Sequence, residues 1–242
     1  MEGRGKMIEF SELIIGSVED YDKLYDYVGK EAIDDYAVET LKRFVGTSCN
    51  KIVVEYPYHD KDFLSTYYCY YSQKFRSFPK KCYRLHIMGK DEVYYGYIVL
   101  RPTVKGTRLG TTYLSPKPLI NEEAYLMLAK YEAHIMDNKC EIKCFPWMKQ
   151  EVDISVCAHV AAWTILRYYG NKYHNYADTT MGAIAQKIKG DMGRKTPSNG
   201  LTPVQIADLF QEYGFSPIIR GGIKEENSKF LDEIMAYIES GI

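Results

Sequence analysis

Gln150, Cys157 and His159 lie within ten residues of one another in "QEVDISVCAH", a combination that could support thiol chemistry. Ser155 is a suitable N-cap, so Cys157 falls in the first turn of the helix that follows. Unpaired backbone N–H groups and the helix dipole favour a thiolate there, the reactive form of cysteine. Gln150, seven residues earlier, could reach the same helix end and donate an amide N–H to a developing oxyanion. The competing reading of Cys157 is a small buried hydrophobe. Cys140, Cys144, Cys157 and His159 also offer ligand types suited to zinc. However, 140, 142 and 144 alternate on one strand face, and a helical i, i+2 pair splays apart, so no metal or other cofactor is expected.

A nucleophilic cysteine needs a histidine base within hydrogen-bond reach. The chain has five histidines, at 59, 86, 134, 159 and 174. His159 points to a different side of the helix from Cys157. His174 starts at the far end of a helix roughly 20 Å long. His59, His86 and His134 belong to the N-terminal part, so none is expected to pair with the sulfur.

The elements that must position these residues change character along the chain. Residues up to about 45 look helical, with Ser17 as a cap and Gly46 as a stop. From 51, "KIVVEYPY", "KKCYRLHIMG", "VYYGYIVLRP" and "TRLGTTYLSP" are short and rich in β-branched and aromatic residues, as strands are. "LMLAKYEAHIM" and "KCEIKCF" add two more, with a turn at Asp137-Asn138. After Pro146 the helical period returns. The spacing predicts a helix over 156–169 with an apolar stripe at 158, 161, 162, 165, 166 and 169, stopped by Gly170. A second stripe, Met181, Ile184 and Ile188, predicts a helix near 179–189. "TPVQIADLFQEYG" has Thr202 as cap, Pro203 at the first position and Gln205 completing a capping box, with Gly214 as its stop. "FSPIIR" reads as a short strand and 228–239 as a last helix. The fold class expected is α+β: an N-terminal helical and antiparallel β domain over 1–145, then a helical lobe over 146–242.

Gln150, the "CAHVAAWTILRYYG" helix, "GLTPVQIADLFQEYGF" and "YIESGI" together resemble papain-like cysteine peptidases of the bacteriocin-processing, double-glycine-leader type. The resemblance covers about the last hundred residues and departs at Ala158, where the family usually has Gly. It implies a bacterial thiol protease acting by acyl transfer on a peptide or protein substrate, with Cys157 as nucleophile and Gln150 as oxyanion donor. In that family the base lies on a strand after the "Ser-Gly-x" helix, beyond Ile242. The resemblance therefore implies a piece of a longer protein, a half-site completed by another chain, or a pseudo-peptidase acting as an interaction module. As given, the chain is expected to be inactive. The apolar face of 156–169 is expected to bury against the N-terminal region or a partner.

Nucleic-acid binding is the other class considered, because "YYCYYSQKFRSFPKKCYRLH" interleaves aromatics with Lys74, Arg76, Lys80, Lys81 and Arg84. The formal net charge of −1 argues against it. The loop "KGTRLGT" at 105–111 lacks phosphate-loop spacing. With no signal peptide and no apolar run of membrane-spanning length, the chain reads as cytoplasmic, its six cysteines as thiols.

Overall fold

The computed structural model describes residues 8–102, 108–118, 126–150, 157–188, 200–220 and 227–240. The fold is α+β, built on an antiparallel sheet. The chain enters through strand β1 (Glu9–Ile14), a 3-10 turn over Val18–Lys23, and helices α1 (Leu24–Val28) and α2 (Asp35–Phe44). Strand β2 (Cys49–Tyr58) leads to helix α3 (Lys61–Cys69), and β3 (Cys82–Gly89), β4 (Tyr94–Leu100) and β5 (Leu109–Leu114) follow. A hairpin of β6 (Ala129–Ile135) and β7 (Asn138–Cys144) precedes the two-residue strand β8 (Trp147–Met148). Helices α4 (Cys157–Lys172), α5 (Met181–Lys187), α6 (Pro203–Glu212) and α7 (Asn227–Ser240) complete the described chain. The main sheet has the order β1-β2-β3-β4-β5-β8, and β6-β7 forms a second, two-stranded sheet.

Strand periodicity sorts the main sheet into two faces. Ile52, Val54, Leu85, Ile87, Ile98 and Leu100 pack with Val38 and Leu41 of α2 in one buried cluster. The alternate residues, with Val53 opposite His86, His86 opposite Tyr97 and Tyr97 opposite Tyr113, occupy the other face. There Tyr113 packs with Tyr131 of β6 and Tyr168 of α4. Gly96 is required where β4 approaches β5: its φ is +130°, and a Cβ would lie 1.9 Å from the Tyr113 carbonyl oxygen.

Several expected elements are present as read. Ser17 precedes the 3-10 turn, and Thr202 and Gln205 form the capping box of α6. β6 and β7 pair from Ala129 opposite Cys144 to Ile135 opposite Asn138. No disulfide links the six cysteines. Among the described residues no helix is long and apolar enough to cross a membrane.

Four expectations need correction. Residues 9–14 are not helical: they pair with β2, Glu9 opposite Tyr56 and Ile14 opposite Lys51, which satisfies backbone groups along that strand. "FSPIIR" at 215–220 forms no strand: it pairs with no described strand, and Ile218 and Ile219 are exposed. Gly170 does not stop α4, which continues to Lys172. It admits a close approach instead, since a Cβ there would lie 3.0 Å from the Ala177 carbonyl oxygen. The buried side of α4 is also rotated from the expected stripe. His159, Ala162, Trp163, Leu166 and Arg167 face inward, while Ala161 and Ile165 are exposed.

That rotation follows from a buried polar knot joining α3, α4 and α5. Asp62 of α3 accepts hydrogen bonds from Trp163 Nε1 (2.8 Å) and Arg167 Nη2 (2.8 and 2.9 Å). The Met181 backbone N–H, at the start of α5, also donates to it (3.2 Å). Arg167 further donates to the Thr179 carbonyl (2.6 Å) and pairs with Asp178. At Gly182 of α5 a Cβ would lie 2.6 Å from the Ser65 carbonyl oxygen, so glycine lets α5 approach α3. The change of period near 145 therefore ends the run of long strands without ending contact between the two parts. β8 pairs with β5, and the apolar face of α4 is buried against α5, α6, β6 and β8.

Asp60, beside this knot, accepts from the Phe63 backbone N–H (2.7 Å) as the cap of α3 and from Thr111 Oγ1 (3.4 Å). Burial first, and the neighbouring Asp62 second, push its carboxyl up to about 6. A carboxylate raised in the folded state contributes its full stability below the unfolded pKa and loses it as pH rises through the folded one. Asp60→Asn keeps a good cap. It should match the parent at pH 4 and exceed it by roughly 2–3 kcal/mol at pH 7. Urea unfolding of both proteins at the two pH values measures this difference, in which the contributions of other groups cancel. An unchanged difference between pH 4 and pH 7 would show that Asp60 is not a buried, raised acid.

Candidate functional site at the start of helix α4

Cys157 is the first residue of α4 and its side chain is exposed. Its thiol donates to Gln150 Oε1 at 2.8 Å. Ser155, the expected cap, lies outside the described residues. Two features hold the sulfur and the amide together. Met148 of β8 packs in one buried cluster with Ala162, Trp163 and Leu166, tying the strand before Gln150 to the helix that carries Cys157. The buried Arg101 side chain donates through Nη2 to the carbonyls of Lys149 and Leu109, each at 2.9 Å. This clamps the backbone next to Gln150 onto β5. A carboxamide so placed is bifunctional: its oxygen accepts from the thiol, and a half-turn of the amide presents N–H to a thiolate or an oxyanion.

All five histidines are among the described residues, and none has a nitrogen within hydrogen-bond distance of Cys157 Sγ. His159 is buried, its Nδ1 has no hydrogen-bond partner, and burial lowers its pKa. His86 is fully buried on β3, with Nε2 3.1 Å from Glu55 Oε2 and Nδ1 2.7 Å from the Tyr94 hydroxyl. Burial is the main cause of its lowered pKa. A neutral ring that donates to Glu55 and accepts from Tyr94 fits both contacts. His59, His134 and His174 are exposed, on the β2–α3 connection, on β6 and beyond α4.

The other sequence candidates separate in space. Cys144 is buried on β7, which pushes its thiol up to about 12, while Cys140 is partly exposed on the same strand. Among the described residues no three His, Cys, Asp or Glu side chains converge as a metal site. In the aromatic-basic stretch, Lys74 Nζ sits 3.9 Å from the Tyr70 ring centroid, and Lys80 Nζ lies 4.9 Å and 5.1 Å from those of Tyr67 and Tyr68. Arg84 is half-buried, donating to Glu55 (2.6 Å) and to the His134 carbonyl (2.8 Å). Lys74 and Lys80 sit over the chain's own tyrosine rings and Arg84 pairs with Glu55, while Tyr68 and Phe75 are exposed. Much of the 105–111 loop lies outside the described residues.

Sequence reasoning missed the Asp62–Arg167 knot, the Glu55–His86–Tyr94 chain and a contact of Lys149 Nζ with the Tyr36 hydroxyl at 3.0 Å. Only a polar residue inside an apolar helix face, such as Arg167, could have hinted at the first. The chain matches no protein-family model, no curated protein and no solved structure.

Proposed function

We propose that the end of α4 is a thiol acyl-transfer site of the papain-like cysteine peptidase type. Cys157 is the nucleophile and Gln150 the oxyanion donor, acting on a peptide or protein. The observation that carries this reading is the 2.8 Å contact between an exposed helix-leading thiol and a carboxamide in the segment that follows β8. In this reading residues 146–242 contribute the helical lobe. The base must come from outside residues 1–242, because no histidine of this sequence reaches the sulfur. Without it, the chain should form an acyl-enzyme from an activated ester but not hydrolyse peptides. A second reading, a non-catalytic interaction module, draws on α7, where Leu231, Met235, Tyr237 and Ile238 are all exposed.

Acylation and alkylation of the same sulfur distinguish the two. A tetrahedral oxyanion forms when Cys157 attacks a p-nitrophenyl ester, but none forms when it attacks iodoacetamide. Gln150→Ala should therefore slow acylation about tenfold or more while leaving alkylation nearly unchanged. The measurements are burst release of p-nitrophenol and mass-spectrometric location of each adduct. Equal effects on both reactions, or an acyl group found mainly on Cys69 or Cys140, would leave only the interaction-module reading.

A further inference from the structure

A cavity of about 530 Å³ opens between α2 and the main sheet. Leu41, Phe44, Ile98, Leu109, Leu114 and Trp147 form half of its apolar wall, and residues 116, 126–128, 145 and 238 form the rest. A volume in the range of roughly 300–1,000 Å³ suits one small ligand, and an apolar wall with a few polar groups is the usual composition of such sites. Here the polar side chains of the wall are Tyr36, Thr40 and Thr112, and Tyr36, an exposed residue, has its hydroxyl 3.0 Å from Lys149 Nζ. The ammonium also sits 4.4 Å from the Tyr36 ring centroid. Among the described residues no carboxylate forms an ion pair with Lys149. Of the acids at the start of α2, Asp34 is the helix cap and acceptor for the Arg108 backbone N–H, and Asp35 accepts from the Tyr25 hydroxyl. Lys149 is not itself a wall residue; through its contact with Tyr36 it sets a cation beside the hydroxyl at the edge of the aliphatic interior.

We propose that this cavity binds a single-chain aliphatic carboxylate, with its tail along the Leu41–Ile98–Leu109 wall and its carboxylate between Lys149 Nζ and the Tyr36 hydroxyl. Burying the chain supplies affinity in proportion to the apolar area removed from water. The charge-assisted hydrogen bonds select the head group and set the direction of entry. A neutral alcohol of the same length keeps the first contribution and loses most of the second. The inference stands apart from the thiol chemistry and does not require Cys157 to react.

Trp147 provides the readout. It lines the cavity and is partly exposed, while Trp163, the other tryptophan, is fully buried. Tail-brominated dodecanoate should quench Trp147 saturably, with one molecule bound per chain and below its micelle concentration. Lys149→Glu should weaken dodecanoate at least about tenfold, the scale of a charge-assisted hydrogen bond, and leave brominated dodecanol nearly unchanged. Thr40→Phe, which fills the cavity from the half-buried Thr40 of α2 without adding a tryptophan, should weaken both, and circular dichroism would verify that each variant is folded. Equal weakening of acid and alcohol by Lys149→Glu would overturn the head-group assignment. Binding undisturbed by Thr40→Phe, or quenching only by bromolipid vesicles, would overturn the cavity itself.

Discussion

Iodoacetamide is expected to modify Cys157 at least about a hundredfold faster than Cys82 or Cys144 in the folded chain. The thiolate is the reacting species, and a buried thiol must first be exposed by local opening; each 1.4 kcal/mol of opening free energy slows labelling about tenfold. Cys82 and Cys144 are fully buried, whereas Cys157 is exposed. Burial also pushes Cys144 up to about 12 from an ordinary value of 9.0, which alone lowers its thiolate fraction about a thousandfold. Cys49 is buried and raised in the same direction. Cys69 and Cys140 should be intermediate, both being partly exposed with thiols raised by burial. Gln186 Nε2 lies 3.0 Å from the Cys69 sulfur. Mass spectrometry of each cysteine peptide over a time course measures the order. If Cys82 or Cys144 reacted within tenfold of Cys157 while circular dichroism remained native, the start of α4 would not be an open thiol site.

Arg167→Leu should lower the unfolding free energy by about 3–5 kcal/mol, the cost of breaking a buried ion pair from one side. Arg167 and Asp62 are each only 3% exposed, and the guanidinium supplies two of the carboxylate's hydrogen bonds. Leucine restores apolar volume but leaves Asp62 with Trp163 Nε1 and the Met181 N–H alone. It also strands the Thr179 carbonyl, so α5 loses an anchor as well as a charge. The deficit should shrink at pH 4, because a protonated Asp62 needs no counterion. Asp62→Asn combined with Arg167→Leu should recover part of the loss at pH 7, since no uncompensated charge remains. Urea unfolding followed by Trp163 fluorescence gives each value. A loss below about 1 kcal/mol, the usual worth of an exposed pair, would mean that the knot is solvated rather than buried.

Much of the local structure was legible because it rests on interactions between residues close in sequence. The capping box of Thr202 and Gln205, the Asn138 hairpin and the return of a helical period after Pro146 each need only a few neighbours, and all are present. The placement of Cys157 at the start of a helix with Gln150 beside its sulfur was readable for the same reason, since seven residues separate them. The α+β class followed from the two periods.

Tertiary structure alone decided the rest. Spacing suggested that α4 would turn Ala161 and Ile165 inward, but Arg167 and Trp163 are held inside by a carboxylate 105 and 101 residues away. No local pattern encodes that pair, and its effect on the helix face exceeds the small preference of any alanine. β1 is a strand because β2 offers it backbone partners, which six residues cannot announce by themselves. Gly170 continues a helix because the chain at Ala177 folds back onto it. The Lys149–Tyr36 rim joins residues 113 apart in sequence. In each case the deciding contact is long-range, its entropy cost is met by burial of many other groups, and its energy is absent from the unfolded chain in which local preferences operate.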